Sequence, residues 1–307
     1  MRGFNIVKIR RLDAERDLDG YLEILHQVDR FPRSAEEWWE RQRQAGRDEF
    51  RRYLVGEVDG RIVAIAALQD NVMASNAVVV RLVVDAAMRG RGHGRAMAAA
   101  LEALLAERVP APDGLDVRLR DDDPASRAWV ERRGFTLSDH AIRSRLDLTS
   151  FDPRQHRQAV ARVEAAGLRF ETADDGDRLY DLYAALLRTV PDHLEPPSRD
   201  WFDRQRAEHP DAIHLVAVDG TEWTAVAIAS TALDGGAWND FTGVSPDYRR
   251  RCIARALKVL VAERLRAMGC TWVETSNNAL NARMLALNRD LGYRPVEGML
   301  FLRRALR

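Results

Sequence analysis

Apolar residues recur along the chain with two different periods. Runs that alternate or stay apolar between turn residues predict strands: "YLVGEVDGRIVAIAAL" (53–68), "AVVVRLVV" (77–84), "LDVRLR" (115–120) and "AIRSRLDL" (141–148). Apolar positions that return every three or four residues predict helices, from Arg95 to about Arg108 and around Ser126 to Arg132. A strand "IVKIRRL" and a charged helical segment rich in Trp come before them. The second half reads in the same order. It runs through "LRFETA", a Trp-bearing charged segment, "IHLVAVDG" with "TAVAIAST", "NDFTGV", a helix Arg255–Met268, "TWVETS", a helix Asn281–Arg289 and "GMLFLRRAL".

The repetition extends to residues. A shift of 160, from 57 to 217, lays "EVDG" on "AVDG", and the same shift lays "VDAAMRGRGHGRA" from Val84 on "VSPDYRRRCIARA" from Val244. With a small drift, "PRSAEEWWERQRQ" from Pro32 matches "PPSRDWFDRQRAE" from Pro196, and "WVERRGF" ending at Phe135 matches "ALNRDLGY" ending at Tyr293. A period this long means two copies of one domain. Between them "FDPRQHRQAVARVEAAG" has Pro153 near its start and Gly167 after its end, which predicts a connector helix over about 152–166. The expected domains are therefore 1–150 and 151–307.

Length agrees, since 307 residues suit two domains of about 150 each. With 46% hydrophobic residues and 47 basic against 47 acidic side chains, the chain reads as globular, without the net field that would attract nucleic acid. No apolar run approaches the roughly 20 residues of a membrane span, and the N-terminus turns charged where a signal peptide would be apolar. A cytoplasmic protein with no membrane partner is expected. Cys252 and Cys270 lack the spacing of a disulfide framework or zinc site, and the histidines His26, His93, His140, His156, His193, His209 and His214 show no close pairing, so no metal is expected. Lys8 and Lys258 are the only lysines, which suggests a GC-rich, bacterial coding genome.

The chemistry concentrates in "MRGRGHGRAM", residues 88–97, between a predicted strand and a predicted helix. A dinucleotide fingerprint would need Gly or Ala where Arg95 stands, and a P-loop would need Gly-Lys-Ser/Thr. What remains is Arg89-x-x-Gly92-x-Gly94, in which positions without side chains let backbone N–H groups crowd around phosphate oxygens at a helix N-terminus. A glycine-rich turn with solvated arginines is the plainer alternative.

This loop, followed about 40 residues later by Gly-Phe or Gly-Tyr, resembles the GCN5-related N-acetyltransferase (GNAT) superfamily in its tandem two-domain form. The resemblance implies an α/β fold of the α+β type, each domain a mixed, mostly antiparallel sheet flanked by helices. It implies acetyl-CoA as acyl donor, with Leu82, Val83 and Val84 of "RLVV" binding acyl and pantetheine groups through the main chain. Arg89, Gly90, Arg91, Gly92, His93, Gly94 and Arg95 would wrap the pyrophosphate. In copy two the matching positions are Thr242 and Val244 on the strand, then Arg249, Arg250, Arg251, Cys252, Ile253, Ala254 and Arg255. Asn277, Asn281 and Asn288 follow in "TSNNALNARMLALNRDLGYRP", where Asn281 occupies the superfamily's usual asparagine position and Asp123 its counterpart. Copy two departs at Arg250 and Cys252, where a Cβ opposes positive φ.

Acetylation of an amine needs a base for the ammonium proton, and the superfamily often places a carboxylate on the fourth strand. Copy two offers Asp240 where copy one has Val80, and Glu274 is a second candidate. Asp240 as a merely structural strand residue stays open. Cys252 as a nucleophile is not required by direct transfer. The superfamily's usual tyrosine acid would fall at Val130 and Asn288, so another donor is needed or the thiolate leaves unprotonated. Trp38, Trp39 and Trp201 suit either a substrate wall or the core. The expected function is an acyl-CoA-dependent N-acyltransferase acting on a small-molecule amine, as monomer or homodimer. The alternative is a non-catalytic acyl-CoA-binding or sensing module.

Overall fold

The computed structural model describes residues 7–29, 34–44, 49–71, 76–190, 196–232 and 234–306. Pro32 and Arg33, which open one stretch of the repeat, and His193 lie outside the described residues. Two compact units share the chain: Met1–Leu119, Asp123–Ser138 and Leu300–Arg307 form the first, and Arg120–Asp122 with Asp139–Met299 form the second.

The first unit contains β1 (Lys8–Arg11), α1 (Ala14–His26), α2 (Ala35–Gln44), β2 (Arg51–Val58), β3 (Arg61–Asp70), β4 (Ala77–Val84), α3 (His93–Leu105), β5 (Gly114–Arg120), α4 (Pro124–Glu131) and the start of β6 (Thr136–Asp147). Strands β1 to β4 pair antiparallel in sequence order, and β4 pairs parallel with β5. The second unit takes the rest of β6, then α5 (Arg157–Ala165), β7 (Arg169–Thr172), α6 (Gly176–Leu187), α7 (Arg199–Glu208), β8 (Ile213–Asp219), β9 (Glu222–Thr231), β10 (Gly236–Val244), α8 (Ile253–Ala267), β11 (Trp272–Asn278), α9 (Ala282–Asp290) and the start of β12 (Arg294–Ala305). Its strands run β6-β11-β10-β9-β8-β7, with only β10 and β11 parallel.

The predicted elements form, with α3 and α8 starting two residues before the expected Arg95 and Arg255. The connector is a 3₁₀ turn, Pro153–His156, leading into α5, and Gly167 at φ +87° follows its end. Apolar spacing explains the packing. Leu18, Tyr21, Leu22 and Leu25 give α1 one buried face, whereas α8 buries eight of its residues and lies deep against its sheet.

The units do not coincide with halves 1–150 and 151–307. Residues 141–147 of β6 pair with β11, Trp272 opposite Asp147 through Asn278 opposite Ala141, in the second unit. The end of β12 belongs to the first, where Leu306 N–H donates to the Asp113 carbonyl (2.8 Å). The closing strand of each sequence copy thus completes the other unit's core. Leu300 and Leu302 pack with Leu68, Val78, Met97, Leu115 and Val117, and Leu146 and Leu148 pack with Leu215, Leu257 and Val273. Leu302 and Leu148 are 0% exposed, each worth about 1.5–3 kcal/mol of burial.

Candidate active site

In each unit the parallel pair comes apart at the same place. Strand β4 faces β5 from Ala77–Gly114 to Val79–Asp116, and β10 faces β11 from Gly236–Trp272 to Trp238–Glu274. Beyond those rungs β4 continues to Val84 and β10 to Val244 without their parallel partners. The main-chain groups on that side are free of the ladder, and the cleft so opened leads to the strand–loop–helix turn.

The two turns have one backbone despite different residues. Gly90 (φ +76°) and Gly92 (φ +90°) correspond to Arg250 (φ +63°) and Cys252 (φ +65°), the residues expected to resist this conformation. Copy two therefore keeps the loop, at a cost of about 1–2 kcal/mol per left-handed residue. In both loops the first arginine clamps the strand: Arg89 Nε donates to Val84 O and Arg249 Nε to Val244 O, each at 3.2 Å. Arg91 reaches Ala87 O (3.3 Å), Arg249 also Thr189 Oγ1 (2.6 Å), Arg255 Asp290 (3.0 Å), and Arg251 lies over the Tyr248 ring. Arg162 Nη1 lies 3.8 Å from Cys252 Sγ.

The site residues fit an anionic nucleotide group. A Cβ on Gly90 or Gly92 would meet nothing within 4 Å, so the loop has open space in front of it. Helix geometry leaves the first-turn amides of His93 and Gly94, and of Ile253 and Ala254, without carbonyl partners. His93 is 5% exposed with an unpartnered Nε2. Farther along the second cleft Asn288, 1% exposed, donates to Asn277 Oδ1 (2.7 Å) while its own Oδ1 has no partner. Asn281 is a helix cap, accepting from Met284 N at 3.2 Å, as Asp123 does from Ser126 N at 2.9 Å.

The units differ in the strand itself. Strand β4 pairs with β3 without a register shift, whereas β10 bulges against β9 between Asn239 and Phe241, and the extra residue is Asp240. Asp240 Oδ2 accepts from Ser230 Oγ at 2.8 Å. The residue keeps solvent access, yet protein walls crowd its carboxyl, and desolvation raises its pKa against the pull of Ser230 and His209. Tyr183 borders it: burial, and secondarily the Asp240 charge, push that phenol upward, and its ring stacks on Phe202 and meets Phe241 edge-on. Tyr183, Ser230 and His209 carry no motif, so the sequence singled out none of them for this place.

Glu274 is 0% exposed, with Arg143 Nη2 and Arg145 Nε each 2.7 Å from its oxygens. The two guanidiniums lie over Trp238 and Trp272. In the first cleft Leu82, Val84 and Trp129 surround Gly94, and Val130 stands in the core where copy two has Asn288. Among the tryptophans Trp38 is core, while Trp39 and Trp201 are exposed at 37% and 42%. Among the described residues no cluster of His, Cys, Asp and Glu could hold a metal, and no helix is long and apolar enough to cross a membrane.

A parallel pair that diverges ahead of a strand–turn–helix with two left-handed residues is present twice, so the fold is one architecture in tandem. The model of the Acetyltransferase (GNAT) family matches residues 18–135 and again 177–293, and the chain belongs to this family as a tandem N-acetyltransferase. A mycothiol acetyltransferase of Clavibacter michiganensis subsp. michiganensis is 29% identical over 254 residues, 79% of this chain and 80% of the relative. Two solved structures share the fold. A tandem GNAT protein from the clavulanic acid biosynthesis pathway has a TM-score of 0.73 at 21% identity, covering 98% of both chains. A GCN5-related N-acetyltransferase from Sphaerobacter thermophilus has 0.74 at 16%, covering 98% of this chain and 96% of its own.

Proposed function

We propose that the second unit transfers an acetyl group from acetyl-CoA directly to the amine of a small molecule. The observation that carries this reading is the bulge-borne Asp240, a carboxylate with raised proton affinity at the parting of β10 and β11. The coenzyme, when bound, supplies an activated thioester. Asp240 accepts the ammonium proton, itself or through a water, because only the neutral amine attacks. Released main-chain groups of β10, with Thr242 and Val244, orient the donor, and the turn from Arg249 to Arg255 receives its phosphates. Asn277 and Asn288 offer polar contact farther along the cleft. Glu274, with both oxygens taken by arginines, holds Arg143 and Arg145 in place rather than moving protons. Relatives named mycothiol acetyltransferase support a small-molecule acceptor.

The first unit carries a second role. Its open glycine turn suits coenzyme binding, but Val80 stands in an unbulged strand and the cleft is apolar around Trp129, Leu82 and Val84. We assign it coenzyme binding through Arg89 to Arg95 without transfer. Thiol release from acetyl-CoA with a panel of small primary amines tests the reading, with coenzyme A binding followed by calorimetry. Amine-dependent release is expected, with Gly92→Asp abolishing one binding event and leaving turnover. Binding without release across the panel leaves a binding module in place of an enzyme.

A further inference from the structure

The β10 bulge is built around Asn239, which is 3% exposed. Its Nδ2 donates to the carbonyls of Ile228 and Phe241, 3.0 Å each, the pair that faces across the ladder immediately after the register shift. Its own main-chain carbonyl accepts from Thr275 Oγ1 at 3.1 Å. Its Oδ1 accepts from Thr242 Oγ1 at 3.0 Å and from Lys258 Nζ. Carbonyls on one side of the amide and donors on the other allow it a single orientation.

Lys258 reaches this point from α8. It is 3% exposed, its Nζ lies 5.1 Å from the centre of the Tyr293 ring, and burial lowers its pKa to about 7. Burying an amine this deeply is costly, and an apolar residue would pack there more cheaply. Nearly every other cation of the chain is Arg, yet here stands one of only two lysines. A lysine is the cation that can shed its proton and still donate a hydrogen bond; an arginine would stay charged. The duplicate supplies the control. At the 160-residue offset Val79, Leu82 and Ala98 replace Asn239, Thr242 and Lys258, and the strand there has no bulge.

We infer that Lys258 is a positioning residue for the transfer reaction: through Asn239 it holds the bulge that sets the place of the Asp240 carboxylate. The inference rests on the second unit being the one that transfers.

Lys258→Met keeps length and removes the donor. Because it also removes a buried amine, its thermal midpoint is expected to equal or exceed the parent's. The Asp240 carboxyl titration, followed by carbon NMR and assigned through Asp240→Asn, should fall from its raised position toward the ordinary range. The kcat of amine-dependent thiol release should drop about 10²-fold, as for a misplaced catalytic group. Lys258→Gln, which still donates, should recover most of both. The pair Asp240→Asn and Lys258→Met should lose no more than Asp240→Asn alone. A folded Lys258→Met with parental Asp240 titration and kcat overturns the inference, as do losses that multiply. Should Lys258→Met not fold, the parent still decides: with two lysines, the Nζ signal of Lys258 is assigned by Lys8→Arg and must shift on Asp240→Asn. An unmoved signal then overturns the inference. Absence of amine-dependent release in the parent refutes the functional reading and leaves the NMR measurements to decide whether Lys258 places Asp240.

Discussion

The two units share a strand plan and a loop backbone but divide the chemical parts between them. The first has a glycine turn with open space before it and an apolar cleft; the second has a bulge, a carboxylate and buried amides, but a turn with side chains at both left-handed positions. The scaffold sets the loop more firmly than its residues do. Arg250 and Cys252 take φ +63° and +65° because the Arg249 clamp and the start of α8 fix both ends of the turn. The strand differs more: one copy carries a polar network, Asn239 with Thr242 and Lys258, and bulges there, and the other lacks the network and pairs without a shift.

The largest expected effect separates the clefts. Asp240→Asn should reduce turnover roughly 10²- to 10⁴-fold with coenzyme binding retained. The loss should shrink for amines of lower pKa, more of which are already neutral; an equal loss across such a series assigns Asp240 to positioning. Next comes Leu302→Ala, expected to cost about 2–5 kcal/mol. Hydrogen exchange should accelerate in β4 and β5 more than in β10, although Leu302 lies in the second sequence copy. Preferential loss in β10 would return β12 to its sequence partner.

A smaller effect comes from pH. Between the 10.5 of a free lysine and the value of about 7 at Lys258, the unfolded chain holds a proton that the native state lacks. Native stability therefore rises with pH across that window, by an amount on the order of a few kcal/mol, and Lys258→Met should remove this slope in denaturant titrations. Ala98 in the first unit has no such contribution. Smallest is Cys252→Gly, which relieves a left-handed side chain and should stabilise by about 1 kcal/mol, a shift of a few degrees in thermal midpoint. Gly92→Ala should move the other way.

Much of this division was legible in the sequence. The 160-residue offset exposed Asp240 against Val80 and Gly92 against Cys252, because strand and loop positions in a duplicated domain are locked by the same packing. The exchange of closing strands was not legible. "AIRSRLDL" and "GMLFLRRAL" alternate alike, and alternation specifies a buried face without naming the sheet that buries it. The bulge was hidden as well, since one extra residue disappears in the drift of hairpin lengths. Lys258 sits in a helix whose other inward positions are aliphatic, and only burial and its bond to Asn239 reveal a purpose. Glu274 was recognisable as a carboxylate on a key strand, but its arginine partners come from β6, 129 and 131 residues earlier in the chain.

The exchange of strands also sets a schedule for biosynthesis. Strand β5 ends at Arg120, yet Leu300 and Leu302, which belong with it, are made about 180 residues later. At ribosomal speeds of about 5–20 residues per second, the first unit waits roughly ten to forty seconds with an open sheet edge and an incomplete core. Residues 141–147 wait a shorter time for β11, which is made within the same unit. The first unit cannot close as a nascent domain of its own, so the protein passes through most of its synthesis with that edge unpaired, and holdase chaperones are the cellular factors expected to find it there.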